Sequence, residues 1–234
     1  MKNNNQEIES PKKNARIAGF FYLILAITAF FTFFVDKKLV ISGDAVITAN
    51  NILNSMSLFN LGIVSELIMA VFWILTAFML YKLFKPINKN NALLMFSLVL
   101  VGGAIACINT LNKIVAIIIL NGNYLRVFEA SQLESLTMLF LNLYQNGVVI
   151  NHIFFGLWLV PLGLLIIKSR YFPKIISRII GILLLVAGIG YLADVFIFFF
   201  LPSFNIRITD YTFWGELILL LWLLIKGVKP NIKS

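Results

Sequence analysis

The sequence predicts an all-α integral membrane bundle of six transmembrane helices. Two amphipathic surface helices lie on the extracytoplasmic side, and both termini are cytoplasmic. Three observations carry this prediction. First, 60% of the 234 residues are hydrophobic, only 12% are charged, and the mean hydropathy is +0.94; a soluble domain is roughly 45–50% apolar and about 25% charged. Second, several apolar runs reach the ~18 residues that a membrane-crossing helix needs. Third, Lys and Arg cluster at the ends of those runs, where they set topology.

Taken in order, residues 1–15 form a polar, Asn- and Lys-rich tail expected to be disordered. The first span, 16–35, follows Lys12, Lys13 and Arg16 like a signal sequence. It is longer than a usual signal core and has no small-residue cleavage site, so it is read as retained. Within the polar connection that follows, Ala45, Ala49, Ile52, Leu53 and Met56 recur at helical spacing opposite Asn50, Asn51 and Asn54. Asp44 can cap this helix, which is expected to lie on the membrane surface.

The second span, 58–84, ends before Lys85-Pro86, since proline disfavours helix in the preceding residue. A short polar turn leads to the third span, 92–120, and Asn121-Gly122-Asn123 signals another turn. Ser131 and Glu134 have capping-box spacing and open a helix presenting Leu133, Leu136, Phe140 and Tyr144. That helix runs through Gln145-Asn146-Gly147 into the fourth span, 148–167, where Pro161 should kink the chain by deleting a bond to the Leu157 carbonyl. The fifth span, 174–201, stops at Pro202; the sixth covers 211–227, and 229–234 is a tail. The whole is one membrane domain, 16–228, with no room for a soluble one.

Fourteen Lys and Arg residues fall in the N-terminal tail, the second and fourth loops and the C-terminal end, against Lys37, Lys38, Arg126 and Arg207 on the opposite side. This imbalance places both termini in the cytoplasm. The net charge of +9 is therefore a topology signal, and no nucleic-acid partner is expected. One cysteine, Cys107, excludes an internal disulfide. With a single His besides, the common zinc sets are excluded; no metal, cofactor or catalytic motif is expected, and the chain is read as non-enzymatic.

Several short stretches carry a resemblance. They are Ala15-Arg-Ile-Ala-Gly-Phe-Phe-Tyr-Leu23, Ser42-Gly-Asp-Ala45, Leu58-Phe-Asn-Leu-Gly62 and Lys85-Pro-Ile-Asn88, then Phe154-Phe-Gly-Leu157, Ser169-Arg-Tyr-Phe-Pro-Lys174 and Gly188-Ile-Gly-Tyr-Leu-Ala-Asp194. In these the chain resembles the bacterial membrane proteins grouped as domain of unknown function 4386. The resemblance implies a multi-helix protein of a bacterial plasma membrane and supplies no activity or site residue.

Polar residues inside apolar spans are costly and mark function by default. Those here are Glu66, Asn109, Asn112, Lys113, His152, Tyr191, Asp194 and Glu216. Counting 1.5 Å per residue places the charged ones and His152 in the outer half of the bilayer. On the third span Gly102, Ala106, Asn109, Asn112, Lys113 and Ala116 share a face; Gln145, His152, Gly156 and Gly163 do so on the fourth, and Gly181, Gly188, Tyr191 and Asp194 on the fifth. Small residues on those faces let helices approach closely and turn the polar groups inward.

The expectation is an outward-facing polar pocket that binds a small cation or amphipathic molecule, as a carrier or sensor. Asp194 is its principal charge, Glu66 and Glu216 are auxiliary, Lys113 is the counter-charge and His152 a proton partner. Three acids facing one base leave a negative excess that protonation or a cation must relieve. The alternative is a structural or accessory subunit, with Asp194 paired to Lys113 as helix glue. Glu66 and Glu216 are equally open to an interfacial placement, His152 to a packing role and Tyr191 to a lipid-facing one. A carboxylate-pair hydrolase would use Asp194 with Glu216, the one pair on adjacent spans at matched depth.

Overall fold

The structure is a computed structural model, and it describes residues 10–122, 127–204 and 206–229. It is all-α. The helices run α1 Pro11–Leu39, α2 Ala45–Asn54, α3 Met56–Phe84, α4 Lys89–Asn121, α5 Ala130–Leu157, α6 Leu159–Lys168, α7 Lys174–Phe200, α8 Thr209–Thr212 and α9 Trp214–Leu221, followed by a π turn, Trp222–Lys226. Among the described residues, five helical stretches are long and apolar enough to cross a membrane: α1, α3, α4, the α5–α6 pair and α7.

Three of the boundaries follow from local chemistry. Proline opens α1 at Pro11, where its missing N–H is one of the donors a helix start leaves unbonded anyway. The helix therefore takes in residues 11–15, which the sequence reading assigned to the tail; residues 1–9 lie outside the described residues. Asp44 caps α2 as expected, its carboxylate accepting from the Ile47 amide at 2.9 Å. Asn88 caps α4 in the same way through the Asn91 amide.

The second surface helix does not exist as a separate element. Residues 130–157 form one helix, α5, running through Gln145-Asn146-Gly147 as expected; Gly147 faces Asn109 of α4 and leaves room for that side chain where a methyl group would not fit. Its cap also differs from the Ser131/Glu134 box: the Glu129 amide donates to Gln132 Oε1 at 2.9 Å, two residues earlier. The turn at residue 123 and Arg126 lie outside the described residues. Pro161 acts as anticipated, since the helix breaks at Trp158, between α5 and α6.

Two glycine pairs join α5 and α6 to α7. A Cβ on Gly156 would meet the Gly188 carbonyl oxygen at 2.7 Å, and one on Gly163 would meet that of Gly181 at 2.8 Å. The backbones touch, as the small-residue faces predicted. An apolar core then fills the end of the bundle nearest the α1 N-terminus, from Ala15, Ala18, Leu80, Leu83 and Phe84 across to Leu162, Leu165, Leu184, Leu219 and Leu223. Along its other half α1 packs mainly on α3, with Val35 and Leu39 meeting Ile52, Phe59 and Ile63.

The region predicted as the sixth span is helical but broken. Residues 209–226 divide into α8, α9 and the π turn, none of them membrane-spanning in length by itself. The segment begins beside Asp194, six residues short of the end of α7, so it enters the bundle about 9 Å below that end.

Candidate functional site

One cavity of about 950 Å³ runs beside α1. Tyr22, Leu25, Ala29, Thr32 and Asp36 line it at three- and four-residue spacing, a single helical face. From Tyr22 to Asp36 is fourteen residues, or about 21 Å of depth. The opposite walls come from α3, α4, α5, α7 and the α8–α9 segment. Polar groups gather at two levels.

At the Asp36 level, the Lys113 ammonium donates to both Asp36 oxygens, at 2.8 and 2.9 Å, and lies 3.1 Å from Glu66 Oε2. It also sits 4.1 Å from the centroid of the Tyr144 ring. Lys113 is 1% exposed, so its charge is compensated almost wholly by these groups. Asn109 braces the cluster by donating to the Tyr144 carbonyl at 2.9 Å; Asn112 donates back to the Asn109 carbonyl and does not line the cavity.

At the Tyr22 level stands Glu216. The Tyr22 hydroxyl donates to its Oε2 at 2.9 Å, and the Tyr191 hydroxyl reaches the same carboxylate. Both partners are neutral. Among the described residues no Lys or Arg pairs with Glu216. Tyr22 lies only six residues beyond Arg16, about 9 Å along the helix. Glu216 is therefore in the half of the bundle nearer the N-terminal end of α1. The expectation that the acids share one depth is corrected by this contact.

The larger correction concerns Asp194. It does not meet Lys113 and does not line the cavity. Its carboxylate accepts from the Ile208 amide at 2.6 Å, the Thr209 amide at 3.2 Å and the Thr209 hydroxyl at 2.5 Å. These are donors that the start of α8 would otherwise leave unbonded inside the bundle. Asp194 holds the start of α8, as an N-cap from a neighbouring helix. With Asp194 on this cap and Glu216 on the tyrosines, the two form no carboxyl pair of the kind a hydrolase needs.

His152 is 8% exposed and lines the cavity. Its ring packs edge-on to Tyr191 at 5.2 Å, and its Nδ1 has no hydrogen-bond partner. Neighbouring Asn151 Oδ1 and the indole nitrogens of Trp73 and Trp158 are likewise buried and unbonded, although all three residues belong to the lining.

Sequence reasoning missed Asp36, Tyr22 and Tyr144. Asp36 had been placed in a loop, but it repeats the spacing of Tyr22, Ala29 and Thr32 and so falls on the same face. That register was the available signal. Lys37 and Lys38, exposed beside it, made the whole run look like a surface terminus.

The family model for a domain of unknown function, DUF4386, matches residues 17–227. An uncharacterised protein of the archaeon Archaeoglobus fulgidus is 30% identical over 169 residues, covering 71% of this chain and 84% of the relative. No solved structure matches. The match spans α1 through the π turn and so takes in both polar levels of the cavity: the chain belongs to the DUF4386 family.

Proposed function

We propose that this protein crosses a cell membrane six times, with both termini in the cytoplasm, and binds a small cation or amphipathic molecule in the cavity beside α1. The carrying observation is the charge of the lining. Asp36, Glu66, Asp210 and Glu216 supply four carboxylates against Lys37 and Arg207. Lys113, behind the wall, neutralises at most one more. A surplus of negative charge in a low-dielectric enclosure favours a cationic occupant. In this reading residues 209–226 form the sixth crossing, Asp36 and Lys113 face the extracytoplasmic side, and the role is that of a carrier or sensor rather than an enzyme. The membrane is the plasma membrane; a bacterial setting rests on the resemblance, whereas the relative found is archaeal.

An accessory-subunit reading is favoured for two residues. Asp194 and Lys113 are fully engaged by other groups of the chain. They support the walls whatever the cavity holds.

The test is thermal unfolding of the detergent-purified full chain against sodium, magnesium and tetramethylammonium chlorides, with sucrose as the neutral control. Saturable stabilisation by one of the cations at fixed ionic strength supports the reading. Equal curves for all additives sink it and leave the accessory role. Cysteine-scanning in a Cys107→Ser background checks topology, with positions 43 and 87 expected on opposite sides.

A further inference from the structure

Five aromatic rings and one carboxylate close a circle at the deep end of the cavity. Tyr22 meets Trp158 at 6.2 Å, Trp158 meets Trp73 at 6.1 Å, Trp73 stacks on Phe155 at 4.1 Å, and Phe155 stacks on Tyr191 at 5.7 Å. Tyr22 and Tyr191 then converge on Glu216. All six side chains line the cavity. Tyr22, Trp73 and Trp158 belong to the packed core that continues to Leu80 and Leu223, so the circle closes the cavity on that side.

An ordinary buried carboxylate in such a place would have a cationic partner, as Asp36 and Glu66 do in Lys113. Glu216 has two phenols instead. Aromatic faces attract a cation through their negative quadrupole, and more so when water is excluded. Phe155 and Tyr191 are the rings that meet the cavity, with Tyr22, Trp73 and Trp158 packed behind them, and with the Glu216 carboxylate they fit an ammonium nitrogen. A divalent metal ion fits less well, because it demands several oxygen ligands and the floor offers one carboxylate and two phenols.

The side of the shaft specifies the rest of the ligand. Phe30, Phe33, Phe213 and Leu217 line the cavity and are still 72, 50, 38 and 37% exposed. A side chain that lines a cavity while remaining exposed lies on its rim. Phe30 is eight residues from Tyr22 and six from Asp36, so this apolar rim faces the lipid-depth flank of the bundle, between α1 and α9. The polar rim, Lys37, Arg207 and Asp210, lies at the end of the shaft.

Resting on the cation-binding reading, we propose that the occupant is a lipophilic amine: its single ammonium nitrogen sits in the aromatic box against Glu216, and its hydrocarbon chain leaves sideways between α1 and α9 into the bilayer. The experiment uses the full chain in phosphatidylcholine nanodiscs and follows tryptophan fluorescence, since Trp73 and Trp158 form part of the box. Dodecylamine is titrated beside dodecanol, dodecyl sulfate and tetramethylammonium. Dodecylamine alone is expected to give a saturable change with high affinity, weakened about tenfold or more in Glu216→Gln, the factor expected when a charge-assisted contact is lost. Equal responses to dodecylamine and dodecanol, or unchanged affinity in Glu216→Gln, overturn the proposal. A response to tetramethylammonium without one to dodecylamine overturns the lipophilic class while the cation-binding reading survives; silence from both overturns the proposal and leaves the cation-binding reading to the sodium and magnesium curves. Should the variant fail to fold, the unaltered chain serves: dodecylamine must protect Glu216 from modification by dicyclohexylcarbodiimide, located by mass spectrometry, and lack of protection overturns the proposal.

Discussion

The two ends of the cavity treat carboxylates in opposite ways. At one, Asp36 and Glu66 share Lys113 within 3.1 Å. At the other, Glu216 is held by neutral hydroxyls. Glu66 is buried and Asp36 and Glu216 are partly buried, so the difference is one of compensation rather than burial. The first arrangement is complete within the protein and stabilises helix contacts among α1, α3 and α4. The second is completed by a proton or by a cation, and that is where ligand chemistry belongs.

Removing charges should separate the two ends clearly. Lys113→Met leaves two buried carboxylates facing each other without a counter-ion, and should cost about 3–5 kcal/mol of stability. Unfolding in mixed micelles should show it, and the triple change Lys113→Met, Asp36→Asn, Glu66→Gln should recover most of the loss. A tolerant Lys113→Met single variant would break the comparison. Asp194→Ala removes three hydrogen bonds from the start of α8 and should cost about 1–3 kcal/mol. It should leave cation affinity nearly unchanged in the same preparation, because Asp194 stands outside the cavity wall.

Smaller effects belong to the deep end. Tyr22→Phe deletes one hydrogen bond and should cost about 1 kcal/mol, read as a modest drop in unfolding midpoint. Glu216→Gln keeps an acceptor for Tyr22 and removes a carboxyl group that has no basic partner. It should change stability by less than about 1 kcal/mol, or increase it, in ligand-free micelles. A large loss there would mean that Glu216 is structural, like Asp36.

Much of the helical frame was legible in the sequence, because apolar length and capping chemistry are local. Asp44 and Pro161 each act on residues within four positions of themselves. The glycine faces were also legible, since small residues at helical spacing have one economical use in packed helices. What the sequence hid was pairing. Lys113 had three carboxylates, Glu66, Asp194 and Glu216, within plausible depth, and one-dimensional counting favoured Asp194 on a neighbouring apolar run. The choice of Asp36 depends on α1 continuing four residues past its apolar stretch, to Leu39. The depth of Glu216 was misjudged for a related reason: α8 starts inside the bundle, so counting from an assumed outer boundary began at the wrong level. The break of the last region into α8, α9 and a π turn has no periodicity signal at all.

Gly19 has a wider consequence. A Cβ there would stand 2.6 Å from the Leu224 backbone nitrogen, so the first long helix and the final turn of the described chain lie flush against each other. Tyr22 comes from the first, and Glu216 from α9, which runs directly into the second. Ribosomes make these partners some two hundred residues apart, and α1 must wait in the bilayer, its cavity face unpaired, until the last segment arrives. The ammonium-sized box is thus a product of closure: a polypeptide released early would insert, display its apolar helices and have no floor to bind with.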